Sequence, residues 1–137
     1  MDIAAQITGL ANFAMYFSLS IVFVLIFKQL YAAVTPFDEW KQIKEEKNTT
    51  AGLTFGSAIL GFSIALGGAA KNSISLVDFA IWALVALFAQ IAAFFIIRGL
   101  FMPKISERIE ANELSAGLIL AAMNLSVGVL NAACMSY

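Results

Sequence analysis

Three carboxamides stand inside otherwise uncharged stretches of this chain: Gln90, Asn124 and Asn131. An amide does not titrate near neutral pH. It offers two donors and one acceptor, so the chemistry open to these residues is hydrogen bonding between helices or polar lining of a solute path. Sets for nucleophilic or acid–base work are missing. The sequence has no histidine and a single cysteine, Cys134, which cannot form an internal disulfide. An intramembrane protease needs a Ser/His dyad, an aspartate pair within the bilayer or a metal-binding His cluster, and none can be assembled here. Enzymatic activity and a cofactor are therefore not expected. A proton-coupled pump also lacks an ionisable relay at mid-depth, because Gln, Asn and Ser do not titrate in the useful range.

The elements that position the amides follow from composition. Of 137 residues, 61 % are hydrophobic and 12 % charged, with a mean hydropathy of +0.89, which excludes a water-soluble monomer. A net charge of −1 leaves no broad basic surface for nucleic acid. The charges cluster so as to leave four windows, Ile3 to Phe27, Asn48 to Ala70, Phe79 to Ile97 and Leu114 to Tyr137, each near the ~20 residues that a bilayer core requires. Four transmembrane helices are expected, since hydrocarbon forces the backbone to satisfy itself and the ~10-residue alternation of a barrel strand is absent. The first window opens with Asp2 and lacks a basic flank, so it reads as a retained helix, not a cleaved signal.

Lys28, Lys41, Lys44, Lys47, Arg98, Lys104 and Arg108 fall in or beside the first-to-second and third-to-fourth connections, and Lys71 alone falls on the other side. The positive-inside bias places both connections in the cytoplasm and both termini in the periplasm. Lys28 and Arg98 read as snorkelling side chains at the inner ends of their helices.

An offset of 65 residues brings Glu45, Ala51, Gly52 and Leu53 onto Glu110, Ala116, Gly117 and Leu118. The expected fold is thus an all-α integral membrane protein, a single membrane domain over 1–137. Its four spans form two helical hairpin repeats of parallel topology, about 3–70 and about 76–137, each with a short amphipathic cytoplasmic elbow. In the first elbow Thr35 is placed to cap a helix with Pro36 at its first position and Asp38 and Glu39 in its first turn. Phe37, Trp40 and Ile43 alternate there with Lys41, Lys44 and Lys47, which suits either a spacer lying at headgroup level or a docking platform for a peripheral cytoplasmic protein. Ser75 and Asp78 match a cap followed by an acid in the first turn of the third span.

Thr35-Pro36-Phe37-Asp38-Glu39-Trp40, Ala51-Gly52-Leu53, Asp78-Phe79-Ala80-Ile81-Trp82, Ser106-Glu107-Arg108-Ile109-Glu110 and the terminal Leu130-Asn131-Ala132-Ala133-Cys134-Met135-Ser136-Tyr137 together give a chain that resembles the YjfL-like family of small bacterial inner-membrane proteins over nearly its whole length. The resemblance implies a two-copy domain of unknown function in the bacterial inner membrane, and it supplies no catalytic residue. Some relatives are encoded near phage-shock-type envelope proteins, which implies a partner in membrane stress.

Aromatic residues concentrate in the first and third spans, whereas the second and fourth are slim. Because association within lipid relies on close contact, the second and fourth helices are expected at the centre, with the first and third outside presenting aromatic surface to lipid. The packing positions are Gly52 with Gly56, the row Ser57, Gly61, Ala65 and Ala69, and the stripe Gly117, Ala121, Asn124, Gly128 and Asn131. Gln90 and Asn124 fall at similar depth, counted at about 1.5 Å per residue, and are placed to pair. Asn124 and Asn131 correspond under the repeat to Ile59 and Leu66, so only the second copy carries amides. Two functions fit. One is a homo-oligomer whose fourth-helix amides line a small-solute or ion path; the other is a scaffold or sensor that recruits an envelope-stress partner through Phe37, Trp40, Lys41 and Lys44.

Overall fold

The computed structural model describes residues 2–36 and 38–135. It is helical: α1 (Ile3–Val34), α2 (Glu39–Lys44), α3 (Thr49–Asn72), α4 (Leu76–Ile96), α5 (Ile105–Glu110) and α6 (Leu114–Cys134). Among the described residues, α1, α3, α4 with its extension to Leu100, and α6 are the four helices long and apolar enough to cross a membrane. The short helices α2 and α5 lie in the α1–α3 and α4–α6 connections.

The helix ends follow local chemistry. Ser75 Oγ accepts from Asp78 N at 3.1 Å, and the Asp78 carboxylate accepts in return from Ile74 N at 3.0 Å, so the expected cap of α4 is present. The first connection differs from expectation. Thr35 terminates α1, its Oγ1 donating to Tyr31 O at 2.8 Å, and Asp38 is the residue that caps α2 by accepting from Lys41 N. The first span also runs seven residues past the uncharged window, and Lys28 within this extension holds its ammonium 4.3 Å from the centroid of the Trp40 ring. Beyond Ile96 the backbone of α4 loosens into a π-turn, Ile97–Phe101, closed by Met102 N donating to Ile97 O.

The most extensive interhelical contact is between α3 and α6, and α3 also packs on α4 and α1. Glycine decides that approach. A Cβ on Gly128 would strike the Gly61 backbone, 2.6 Å from its Cα, and one on Gly117 would strike Thr50 Cγ2. Gly68 joins the seam, since a Cβ there would lie 2.7 Å from Ala132 Cβ. Gly52 and Gly56 do not take part: a Cβ on either meets nothing within 4 Å.

The aromatic residues are divided, not uniformly lipid-facing as expected. Phe23, Phe27, Tyr31, Phe79 and Phe94 are buried, and Phe13, Phe17, Phe88 and Phe95 are exposed. Phe27 stacks on Phe62 of α3 at 4.6 Å between centroids, and Tyr16 stacks on Phe79 at 5.2 Å. Where a helix lacks a small-residue face, its neighbour stands further away, and rings fill the wider gap. The first half of α1, through Met15, is exposed on every side.

The two connections meet at one end of the bundle. Asn48 caps α3 by accepting from Ala51 N at 3.0 Å, while its Nδ2 donates to Ile109 O at 2.9 Å and Glu110 O at 3.2 Å. From the other side Asn112 Oδ1 accepts from Thr50 N at 3.1 Å and Thr50 Oγ1 at 2.8 Å. Asn48 is buried with its amide engaged, and it serves both as the cap of α3 and as the tie to the second connection. Lys47 and Asn112 are the two non-glycine residues with positive φ among the described residues, at 54° and 60°.

Candidate functional site: a buried polar cluster

One face of α3 carries Thr50, Thr54 and Ser57 at helical spacing before reaching Gly61, all turned inward toward α6. Ser57 Oγ donates to Thr54 O at 2.8 Å, and Thr54 Oγ1 donates to Ala51 O at 3.1 Å. Opposite them, Asn124 of α6 is 1 % exposed. Its Nδ2 donates to Ser57 Oγ at 3.2 Å and to Thr54 O at 3.3 Å.

Gln90 of α4 completes the arrangement. It is 1 % exposed, and its Nε2 donates to the backbone oxygen of Asn124 at 2.9 Å. The two residues share a depth, but Gln90 meets the carbonyl and not the side-chain amide. Gly61 makes this possible, because a Cβ there would strike Asn124 O and lie 2.8 Å from Gln90 Nε2. Gln90 Oε1 is buried with no hydrogen-bond partner among the described residues. Asn131, half-buried, donates to Ala86 O at 3.2 Å. Each amide nitrogen therefore donates to a backbone carbonyl within the chain, that of Asn124 to Ser57 Oγ as well, and the buried Asn124 is not on a surface from which copies could build an amide ring.

Tyr31 stands beside this cluster, and Glu39, expected only as a first-turn acid of the elbow helix, lies near Tyr31. Tyr31, in the last turn of α1, is ringed by Phe27, Phe55 and Phe94 at centroid distances of 5.4 to 5.7 Å. Its hydroxyl lies near the Asn124 side chain and within the field of Glu39, yet closes no hydrogen bond among the described residues. Glu39, the first residue of α2, is 2 % exposed, and its Oε2 likewise has no partner. Burial pushes its carboxyl up to about 8, with the Thr35 hydroxyl pulling the other way. A Glu beside Asp38 at a helix start reads as dipole compensation. No sequence signal separates that role from burial, because the path of the chain between α1 and α2 decides which acid faces inward.

Of the residues expected to dock a partner, Phe37 lies outside the described residues. Trp40 is 39 % exposed, with its ring against Phe55 at 5.5 Å and beneath the Lys28 ammonium. It borders a groove of about 470 Å³ lined by Asp38, Trp40, Lys41, Lys44 and Glu45.

Four apolar spans enclosing a tightly hydrogen-bonded polar interior define a polytopic helical membrane protein. Residues 5–135 match the family described as Domain of Unknown Function (DUF350), and the chain belongs to that family. It is 38 % identical to the UPF0719 inner membrane protein YjfL of Escherichia coli K12, and to its counterpart in Escherichia coli O157:H7, over 129 residues covering 94 % of this chain and 96 % of each relative. No solved structure matches the chain. The protein is an inner-membrane protein.

Proposed function

We propose that this protein is a non-enzymatic membrane protein that passes a small solute or ion along the polar interior of each protomer, the protomers assembling as a homo-oligomer. The observation that carries this reading is the polar face from Thr50 through Thr54 and Ser57 to Asn124 and Gln90, which leads inward from the end where Asn48 joins the two connections. Hydrocarbon penalises such a stripe unless it is satisfied or solvated. Its inner terminus, Gln90 Oε1, is an acceptor still open to a guest.

In the same reading, both termini face the periplasm and both connections the cytoplasm, where their lysines and arginines collect. The chain then consists of two like-oriented units over about 3–70 and 76–137. The left-handed residues Lys47 and Asn112 support this, standing 65 positions apart at equivalent points of the two connections. Exposed Ile3, Ile7, Leu10 and Phe13 on α1 offer surface for lipid or for a second copy.

The test is flux in proteoliposomes, assayed with monovalent ions and with small neutral osmolytes such as glycerol. Asn124→Leu with Asn131→Leu is expected to abolish the flux. Unchanged flux in that variant, or none in the wild type, removes the path.

A second reading is supported by the groove at Trp40, Lys41 and Lys44: a scaffold or sensor that engages a peripheral cytoplasmic protein during envelope stress. A photoreactive residue at Trp40 should then crosslink to a cytoplasmic protein in intact cells. Crosslinks to lipid alone count against it.

A further inference from the structure

Three buried oxygens lack partners among the described residues: Tyr31 Oη from α1, near the Asn124 side chain and within the field of Glu39, Glu39 Oε2 from α2, and Gln90 Oε1 from α4, whose Nε2 donates to Asn124 O. Each is on a side chain at most 2 % exposed. A single buried unsatisfied oxygen costs roughly 1–3 kcal/mol. Three in one neighbourhood signal a guest that donates to them. The set is rich in acceptors, and only one member, Glu39, can hold a full charge near neutral pH.

Among the described residues no cation is paired with that charge. On α1, Tyr31 faces Glu39, and the Lys28 ammonium is held over the Trp40 ring. On α2 itself, Lys41 and Lys44 are exposed. The inward face of α3 presents Thr50, Thr54 and Ser57, α4 presents Gln90 and Phe94, and α6 presents Asn124. Arg98 lines a separate recess with Pro36, Lys104, Glu107 and Glu110. A carboxylate without a cation, walled by Phe27, Phe55 and Phe94 around its tyrosine neighbour, gains most by taking a proton.

We infer that Glu39, Tyr31 and Gln90 form a proton-binding site in which Glu39 exchanges a proton with water at the mouth of the polar interior and the Tyr31 and Gln90 oxygens hold the accompanying water. In the binding step hydronium gives its proton to the Glu39 carboxylate, leaving a neutral acid and one water molecule, and release reverses this. The inference deepens the interior-path reading by naming what enters, and it rests on that reading for the direction of entry.

The test is infrared difference spectroscopy of the purified full chain in lipid nanodiscs, titrated from about pH 5 to about pH 10 so as to span the ordinary and the raised carboxyl range. The protonated-carboxyl stretch is expected to disappear with a midpoint near pH 8, to shift in D₂O, and to be missing from Glu39→Gln. Tyr31→Phe removes one of the oxygens that hold the accompanying water, which leaves the ionised form less solvated, so its midpoint should rise by about half a pH unit or more. Glu39→Asp should restore a titrating band. A band that persists unchanged through the titration, a midpoint unmoved in Tyr31→Phe, or a midpoint that follows sodium concentration at constant ionic strength would each overturn the site. Flux separates the two ideas: titration without flux keeps the site and loses the path, whereas flux without titration keeps the path and loses the site.

Discussion

Gln90 reaches across from α4 to donate to the backbone carbonyl of Asn124, 2.9 Å away, through the space that Gly61 leaves open. That carbonyl belongs to α6 whatever side chain stands at position 124. The bond therefore fastens α4 to α6 independently of the Asn124 amide, which fastens α6 to α3.

The two amides should consequently respond differently to replacement. Gln90→Met removes one hydrogen bond together with an unpartnered buried oxygen, so the stability change is expected to stay within about 1 kcal/mol. Asn124→Ala opens a cavity and removes both bonds to α3, at an expected cost of about 1–3 kcal/mol. Thermal unfolding in a single detergent compares the two directly, and equal losses would contradict the division of roles.

Glycine replacements should split by position. Gly61→Ala and Gly128→Ala each push a methyl into backbone of the opposing helix and are expected to destabilise by about 1–3 kcal/mol. Gly52→Ala and Gly56→Ala meet open space and should be neutral or stabilising by up to about 1 kcal/mol. The same unfolding assay checks all four.

Glu39 makes stability depend on pH. Its carboxyl is raised from 4.5 to about 8 on folding, so between those values the folded chain holds more protons than the unfolded one. The favourable contribution is complete below pH 4.5 and is lost as pH rises through about 8, at up to about 1.4 kcal/mol per pH unit. Glu39→Gln should flatten this slope in unfolding measured across that window.

The joint between the connections can be tested at Asn48. Asn48→Asp keeps the acceptor for Ala51 N but turns the donor face into a carboxylate against the Ile109 and Glu110 carbonyls. It should be at least as destabilising as Asn48→Ala, whose expected cost is about 1–2 kcal/mol for the cap alone. Were the cap the only role, the Asp variant would match the wild type in thermal unfolding.

Much of this architecture is legible in the chain itself. Uncharged windows mark the four long helices, since length and hydropathy are local properties. The Ser75 and Asp78 cap is written within four residues. The inward turn of Asn124 follows from its place on a stripe with Gly117 and Gly128. Periodicity names a face without naming its neighbour, however, and so Gly52 and Gly61 look alike in sequence although of the two only Gly61 lies where a Cβ would strike another helix.

What the sequence determined alone is the set of apolar helices and where local hydrogen bonds begin and end them, because hydropathy and capping act within a few residues. Only the tertiary structure decided that Glu39 rather than Asp38 is withdrawn from water, that Gln90 finds a carbonyl, and that Phe27 and Tyr31 fill gaps inside the bundle. Each of these depends on how far one helix stands from the next. That distance is set jointly by side chains far apart along the chain, so no single segment contains it.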